Sequence, residues 1–208
     1  EKAQDREALA AELIDRFDFG GIQKNAGVFN SDKLSWFNRE YVKKIPETDF
    51  KALAASRLPE RITSLLPEVE HEGRFERLLS TIQDRTTILS DISRDAEAGE
   101  YDFAFFAPTP SPDMLAWKKD VSPQDALPRF EKLAELIGTL PSFPSADEAK
   151  QAIWDYASAE GKGEVLWPLR VALSGREKSP DPFTLIHILG REETRARLKK
   201  ACDTLEHA

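Results

Sequence analysis

Apolar residues recur along most of this chain at three- and four-residue intervals, the pattern of helices that each bury one face. Leu9, Leu13, Ile14 and Phe17 mark such a face over Arg6 to Phe17. Leu34, Phe37, Tyr41 and Val42 mark the next, with Asn30 or Ser31 as its N-cap and Asp32 in its first turn. Short helices are expected over Asp49 to Arg57, Glu60 to Leu66 and Ser90 to Ala98, and a turn of helix over Met114 to Lys118. Phe75, Leu78, Leu79 and Ile82 line a longer one from Gly73 to Asp84. Ser122-Pro123-Gln124-Asp125 supplies a cap, a first-turn proline and a first-turn acid for a helix facing inward through Leu133, Leu136 and Ile137. Ser145-Ala-Asp-Glu148 reads as a capping box before Ala149, Ile153, Trp154 and Ala157. Ile22 to Phe29 reads as irregular, and no stretch alternates like a strand or repeats. The class is all-α, built as stacked helical hairpins.

The segment from Val165 to Pro180 departs from the one-faced pattern. Leu166, Leu169, Val171, Ala172 and Leu173 form a nearly continuous apolar run, so this helix is expected to be buried on most sides. Arg170 sits inside the run. A buried guanidinium needs a carboxylate partner or an anionic ligand. Gly175 stops the helix, and Ser179 with Pro180 is expected to restart one as N-cap and first-turn residue. Pro182 to Leu189 is apolar and helical, and Gly190 separates it from a basic helix, Glu192 to Leu205.

Composition narrows the picture. The 208 residues suffice for one large or two small domains, and the net charge of -8 argues against a general nucleic-acid coat. Charge is unevenly spread. Asp91 to Glu160 is rich in carboxylates, while Lys162 to Lys200 carries Arg170, Arg176, Lys178, Arg191, Arg195, Arg197, Lys199 and Lys200. Such a chain suits contact with RNA on one surface, although ordinary solvated helix faces give the same pattern. No apolar run approaches the ~20 residues of a membrane span, and no basic-then-apolar leader is visible. The single cysteine, Cys202, has no internal disulfide partner, which fits a cytoplasmic protein. A first residue of Glu rather than Met suggests a fragment.

Catalytic chemistry is hard to find. The histidines, His71, His187 and His207, are scattered and lack partners at metal-ligand spacing. Gly20-Gly21 is a turn and no phosphate-cradling glycine loop occurs. No nucleophile stands beside a base, so no catalytic residue, metal site or cofactor site is assigned. Phe103, Phe105 and Phe106 are read as a core plug rather than as a stacking surface for bases.

Three stretches carry a family resemblance. Pro168-Leu-Arg-Val-Ala-Leu-Ser-Gly175, then Ser179-Pro180, Leu185 to Gly190 and Glu192-Glu193-Thr194, resembles the C-terminal anticodon-binding region of bacterial glutamyl-tRNA synthetases. Val28-Phe29-Asn30, Lys33-Leu34, Trp36, Asn38 and Tyr41 are similar to the family segment after the ATP-site lysine loop, and Arg85 to Asp91 to a further family turn. The resemblance implies a helical anticodon-binding cage of two subdomains, 68–140 and 141–208, after a stem-contact region, 1–67. It implies a monomeric partner of tRNA(Glu), read at the anticodon loop, with no DNA or membrane. The parent would be a class I glutamate–tRNA ligase using ATP and Mg. Its His-x-Gly-His and Lys-x-Ser-Lys type motifs do not occur here, so the chain itself is expected to be inert. Anticodon contacts carry over to Arg176, Lys178, Ser179, Pro180 and Pro182, from which Asp181 departs. Arg85 or Arg94 would read the third base, although Arg85 can also anchor its turn. Arg191, Arg195 and Lys199, four residues apart, would meet phosphates. The other reading is a helical protein-interaction module without RNA.

Overall fold

The computed structural model describes residues 2–21, 29–67 and 73–207. They form two compact units, Glu1–Leu34 and Ser35–Ala208. Every regular element among the described residues is helical. In the first unit, α1 (Lys2–Asp15) forms as the periodicity predicts, and a single 3-10 turn follows at Phe19–Gly21. Its stripe of Leu9, Leu13, Ile14 and Phe17 is largely exposed. The irregular segment expected over Ile22 to Phe29 lies outside the described residues except for Phe29.

Helix α2 (Ser31–Lys43) starts where Asn30 accepts the Lys33 amide at 2.9 Å, the predicted cap. Val42 is buried, while Trp36, Phe37 and Tyr41 remain open. Helix α3 (Glu47–Ala55) begins two residues before the expected start, because Pro46 supplies the extended residue that opens it. Helix α4 (Glu60–Thr63) follows Pro59, and the expected boundary at 67 abuts residues 68–72, outside the described set. Helix α5 (Arg74–Arg85) buries the predicted Phe75, Leu78, Leu79 and Ile82 and packs on α3. Helix α6 (Ser90–Glu97) leads to a buried turn carrying Tyr101, Phe103 and Ala104, with Phe106 left exposed. The plug reading therefore holds for Phe103 and not for Phe106.

The remaining helices build the larger core. Short α7 (Pro112–Leu115) replaces the turn expected over Met114 to Lys118. The Ser122 start opens a 3-10 turn, Pro123–Ala126, which runs into α8 (Leu127–Gly138). Helix α9 (Ala146–Glu160) has the predicted capping box, with Glu148 N donating to Ser145 Oγ at 3.2 Å and Ser145 N to Glu148 Oε2 at 2.8 Å. Helix α10 (Lys162–Ser174) packs against α9, α7 and the last helix, α11 (Pro182–Glu206). Val165, Pro168, Leu169, Val171, Ala172 and Leu173 are buried, while Leu166 of the expected apolar run is half-buried.

One expected cap is corrected. Ser179 does not start the last helix; Asp181 does, with Pro182 first in the helix. Asp181 Oδ1 accepts from Phe183 N at 3.0 Å and Thr184 N at 3.1 Å. A carboxylate satisfies two free amides and opposes the helix dipole, which a serine hydroxyl two residues earlier cannot reach. Gly190 then breaks α11 as predicted, with φ 79° and ψ 169° inside the helix. Only glycine adopts that backbone comfortably, and a Cβ there would lie 3.1 Å from Ser142 O and 3.0 Å from Phe143 Cδ1. Gly190→Ala is therefore expected to cost about 2–4 kcal/mol, read as a lower urea midpoint with an unchanged m-value.

Candidate nucleic-acid interface

Three groups of cations can be separated by what they touch. The first surrounds the turn between α6 and α7. Arg176 donates to Glu100 Oε1 at 2.8 Å and to Ala98 O at 3.1 Å. Arg85 reaches the other oxygen of Glu100 at 3.5 Å. Arg94 donates to Asp91 at 2.7 Å and pairs with Asp95 at 2.9 Å. Asp91 also accepts the amides of Thr87 and Ile88 at 3.0 and 2.9 Å. Burial alone would push the Asp91 carboxyl up; those amides and Arg94 outweigh it and hold it below the usual range. The fold thus brings Arg85 and Arg176 to one carboxylate. Each of the three arginines has an acidic partner.

The second group lies on α11. Arg191 donates to Leu140 O and pairs with Glu192, both at 2.8 Å. Buried Arg197 donates to Leu173 O and pairs with Glu193 at 2.7 Å. Burial pulls its guanidinium below the ordinary value, against the opposing effect of Glu193. Lys200 donates to Pro108 O at 2.9 Å. Arg195 and Lys199 are exposed and share a groove with Glu131, Glu192, Asp203 and Glu206. The four-residue spacing is real, but Arg191 is spent on the fold and the other two stand among acids.

The third group is different. The Arg170 side chain has no hydrogen bond or ion pair among the described residues, and its Nε is buried without a partner. It lines a cleft of about 240 Å³ with Trp117, Lys162, Gly163, Leu166 and Trp167. Trp117 and Trp167, ring centroids 6.1 Å apart, also line an adjoining groove of about 480 Å³ with Asp113, Met114, Lys118 and Glu177. Glu177 belongs to the link after α10, so this groove borders the loop that the sequence singled out. The structure corrects the expectation for Arg170: the side chain is half-buried rather than buried, only its Nε is cut off from solvent, and with no carboxylate partner among the described residues its terminal nitrogens are left to water or a ligand.

Local structure explains the presentation of Trp117. Asp120 accepts the Trp117 amide at 2.7 Å and is itself pinned by Arg129 of α8. The indole lies on the backbone of Gly163, where a Cβ would come within 2.6 Å of Cζ2. The link after α10 is fixed by Ser174, whose hydroxyl donates to Arg170 O at 2.8 Å and accepts from Arg176 N at 3.2 Å. Within that link Lys178 is exposed with no partner among the described residues, Ser179 and Pro180 are half-buried, and Pro182 is buried. Sequence reasoning assigned no site role to Trp117, Trp167 or Lys162. The available signals were Trp117-Lys118-Lys119, which places an aromatic beside cations, and Trp167 three residues before Arg170 on one helix. Among the described residues no cluster of His, Cys, Asp and Glu can hold a metal, and no helix is long and apolar enough to cross a membrane.

Residues 49–202 match the family described as the anticodon binding domain, which is most of the chain. The chain belongs to that family. Its anticodon-binding domain is accompanied by wider similarity to ligases. A glutamate–tRNA ligase of Clostridium botulinum is 32% identical over 200 residues, covering 94% of this chain and 39% of the relative. One from Myxococcus xanthus is 29% identical over 199 residues, covering 91% and 38%. The crystal structure of a glutamate tRNA ligase from Elizabethkingia meningosepticum, in complex with its amino acid, matches with a TM-score of 0.63 and 28% identity, covering 94% of this chain and 36% of that one. The chain spans about two-fifths of the length of the curated relatives it matches. The anticodon-binding assignment agrees with the all-α architecture and with the resemblance drawn from the α10 region.

Tyr101 stands close to Asp95, Arg85, Glu100 and Arg94 and is sensitive to pH. Its hydroxyl is buried without a partner, and burial, aided by Asp95, pushes its pKa up to about 12. The folded chain then holds this proton more tightly than the unfolded chain, whose tyrosine ionises near about 10. Stability is expected to fall as pH rises from about 10 toward 12. Denaturation midpoints across that range measure the fall, and Tyr101→Phe should flatten it.

Proposed function

We propose that this chain recognises the anticodon loop of tRNA(Glu) as the C-terminal part of a glutamate–tRNA ligase. The observation that carries the reading is Arg170. A guanidinium on a nearly enclosed helix, without a partner among the described residues and flanked by two tryptophans, suits a splayed base and its phosphate. Tryptophan faces stack bases of any identity, and arginine donates to base acceptors or to phosphate oxygens. The neighbouring link adds Lys178 and a half-buried Ser179–Pro180. Residues 1–67 would then belong to the region that meets the tRNA stem, with 68–140 and 141–208 as two anticodon-binding subdomains. Arg176 and Arg85, tied through Glu100, would shape the far side of the loop site and read a base edge only by exchanging that carboxylate. Glutamate activation, with ATP and Mg, would belong to the part of the relatives that this chain does not span. The working compartment would be the cytoplasm and the working form a monomer.

Support comes from the family match, from relatives named as glutamate–tRNA ligases, and from a groove with the right chemical parts. A helical protein-interaction module remains the competing outcome of the test. Binding is measured by fluorescence anisotropy with a tRNA(Glu) anticodon stem-loop and with a stem-loop of unrelated anticodon. The cognate loop is expected to bind more tightly. Arg170→Ala should weaken it by about 10- to 100-fold, the value of a charged hydrogen-bonded contact. Arg195→Ala should change it by less than about twofold, as expected of a cation already among carboxylates. Equal binding of both stem-loops, or an indifferent Arg170→Ala variant, would defeat the reading.

A further inference from the structure

We propose that Trp154 is a second stacking platform, holding a loop nucleotide next to those held at Arg170. The inference rests on the anticodon reading and extends it to a surface that the family-like segments do not include. Trp154 lies on α9 beside Ile153 and Ala157, and periodicity assigns it to the packed side. Ala149, Ile153 and Ala157 are indeed buried, but Trp154 is only half-buried. One side of it meets Phe183 at the start of α11, ring centroids 6.4 Å apart.

Its other surroundings are open and carry charges of both signs, with two lysines over the ring. Lys162 Nζ lies 4.2 Å and Lys150 Nζ 5.0 Å from the ring centroid. A cavity of about 440 Å³ is lined by Trp154, Lys150, Gln151, Asp147 and Asp155. Lys162 also lines the Arg170 cleft, so one residue joins the two surfaces. Three tryptophans, two lysines and an unpaired arginine therefore follow one another on neighbouring elements, the arrangement that tracks single-stranded nucleic acid.

The exchange on binding is favourable by kind. An ammonium over an exposed ring is weakly held, and a base face stacked on indole is worth more. The displaced ammonium gains a backbone phosphate. Asp147 and Asp155 border the same cavity, so the phosphate is accepted only beside the lysines. Gln151 offers an amide to the base edge.

The test uses the full chain and a tRNA(Glu) anticodon stem-loop, together with versions carrying an abasic site at each loop position in turn. Trp154→Leu should weaken binding of the intact loop about tenfold. Trp154→Phe, which keeps an aromatic face, should stay within about threefold of the unaltered chain. One abasic RNA should show the same loss with the unaltered chain and no further loss with Trp154→Leu. A loss of equal size for every abasic RNA, or no loss, while Arg170→Ala still weakens binding, overturns the platform alone. Indifference of the Arg170→Ala variant overturns the anticodon reading and the platform with it.

Discussion

Helix α10 is enclosed by α9, α11 and α7, and its C-terminal end is tied down by hydrogen bonds. Arg197 of α11 reaches across to the carbonyl of Leu173 in its last turn, and Ser174 closes that turn onto the link that follows. A helix apolar on nearly every side can be stable only inside such a sleeve. The sleeve dictates where Arg170, the charged side chain inside the apolar run, can go. Arg170 cannot turn into the core without losing its hydration, so it leaves through the gap beside Trp117 and Trp167.

The same economy governs the other cations. Leu140, Ala98, Pro108 and Leu173 leave carbonyls at loop and helix ends, and Arg191, Arg176, Lys200 and Arg197 satisfy them. The Leu173 carbonyl is buried and would otherwise be stranded, and each of the four contacts ties a cation to the fold. An acidic chain can therefore hold a basic-looking C-terminal quarter without presenting a basic face. Under the proposed reading, the surface offered to a nucleic acid is small, aromatic and local. It suits single-stranded bases better than a duplex backbone, which rewards many spread phosphate contacts.

The carboxylates complement this division. Asp181 fills the start of α11, Asp120 fixes the turn of Trp117, and Glu100 bridges Arg85 and Arg176. A helix start already filled by its own aspartate has no amides left for phosphate, so under the proposed reading the contacts fall to the side chains around the α11 terminus.

The order of amino acids by itself determined the helical class, the enclosed α10, the capping box at Ser145 and the break at Gly190. Each depends on spacing or on backbone freedom, which are properties of a few consecutive residues. It also carried the family, because the segment around α10 keeps both its apolar face and its terminating glycine. The fate of the charges was decided only in three dimensions. Arg170, Arg176 and Arg191 look alike along the chain, yet one is free, one faces Glu100 and one closes on Leu140. Partners tens of residues away settle such pairings, and no local pattern encodes them. Trp117 and Trp167, fifty positions apart, likewise become one wall only when α7 and α10 meet.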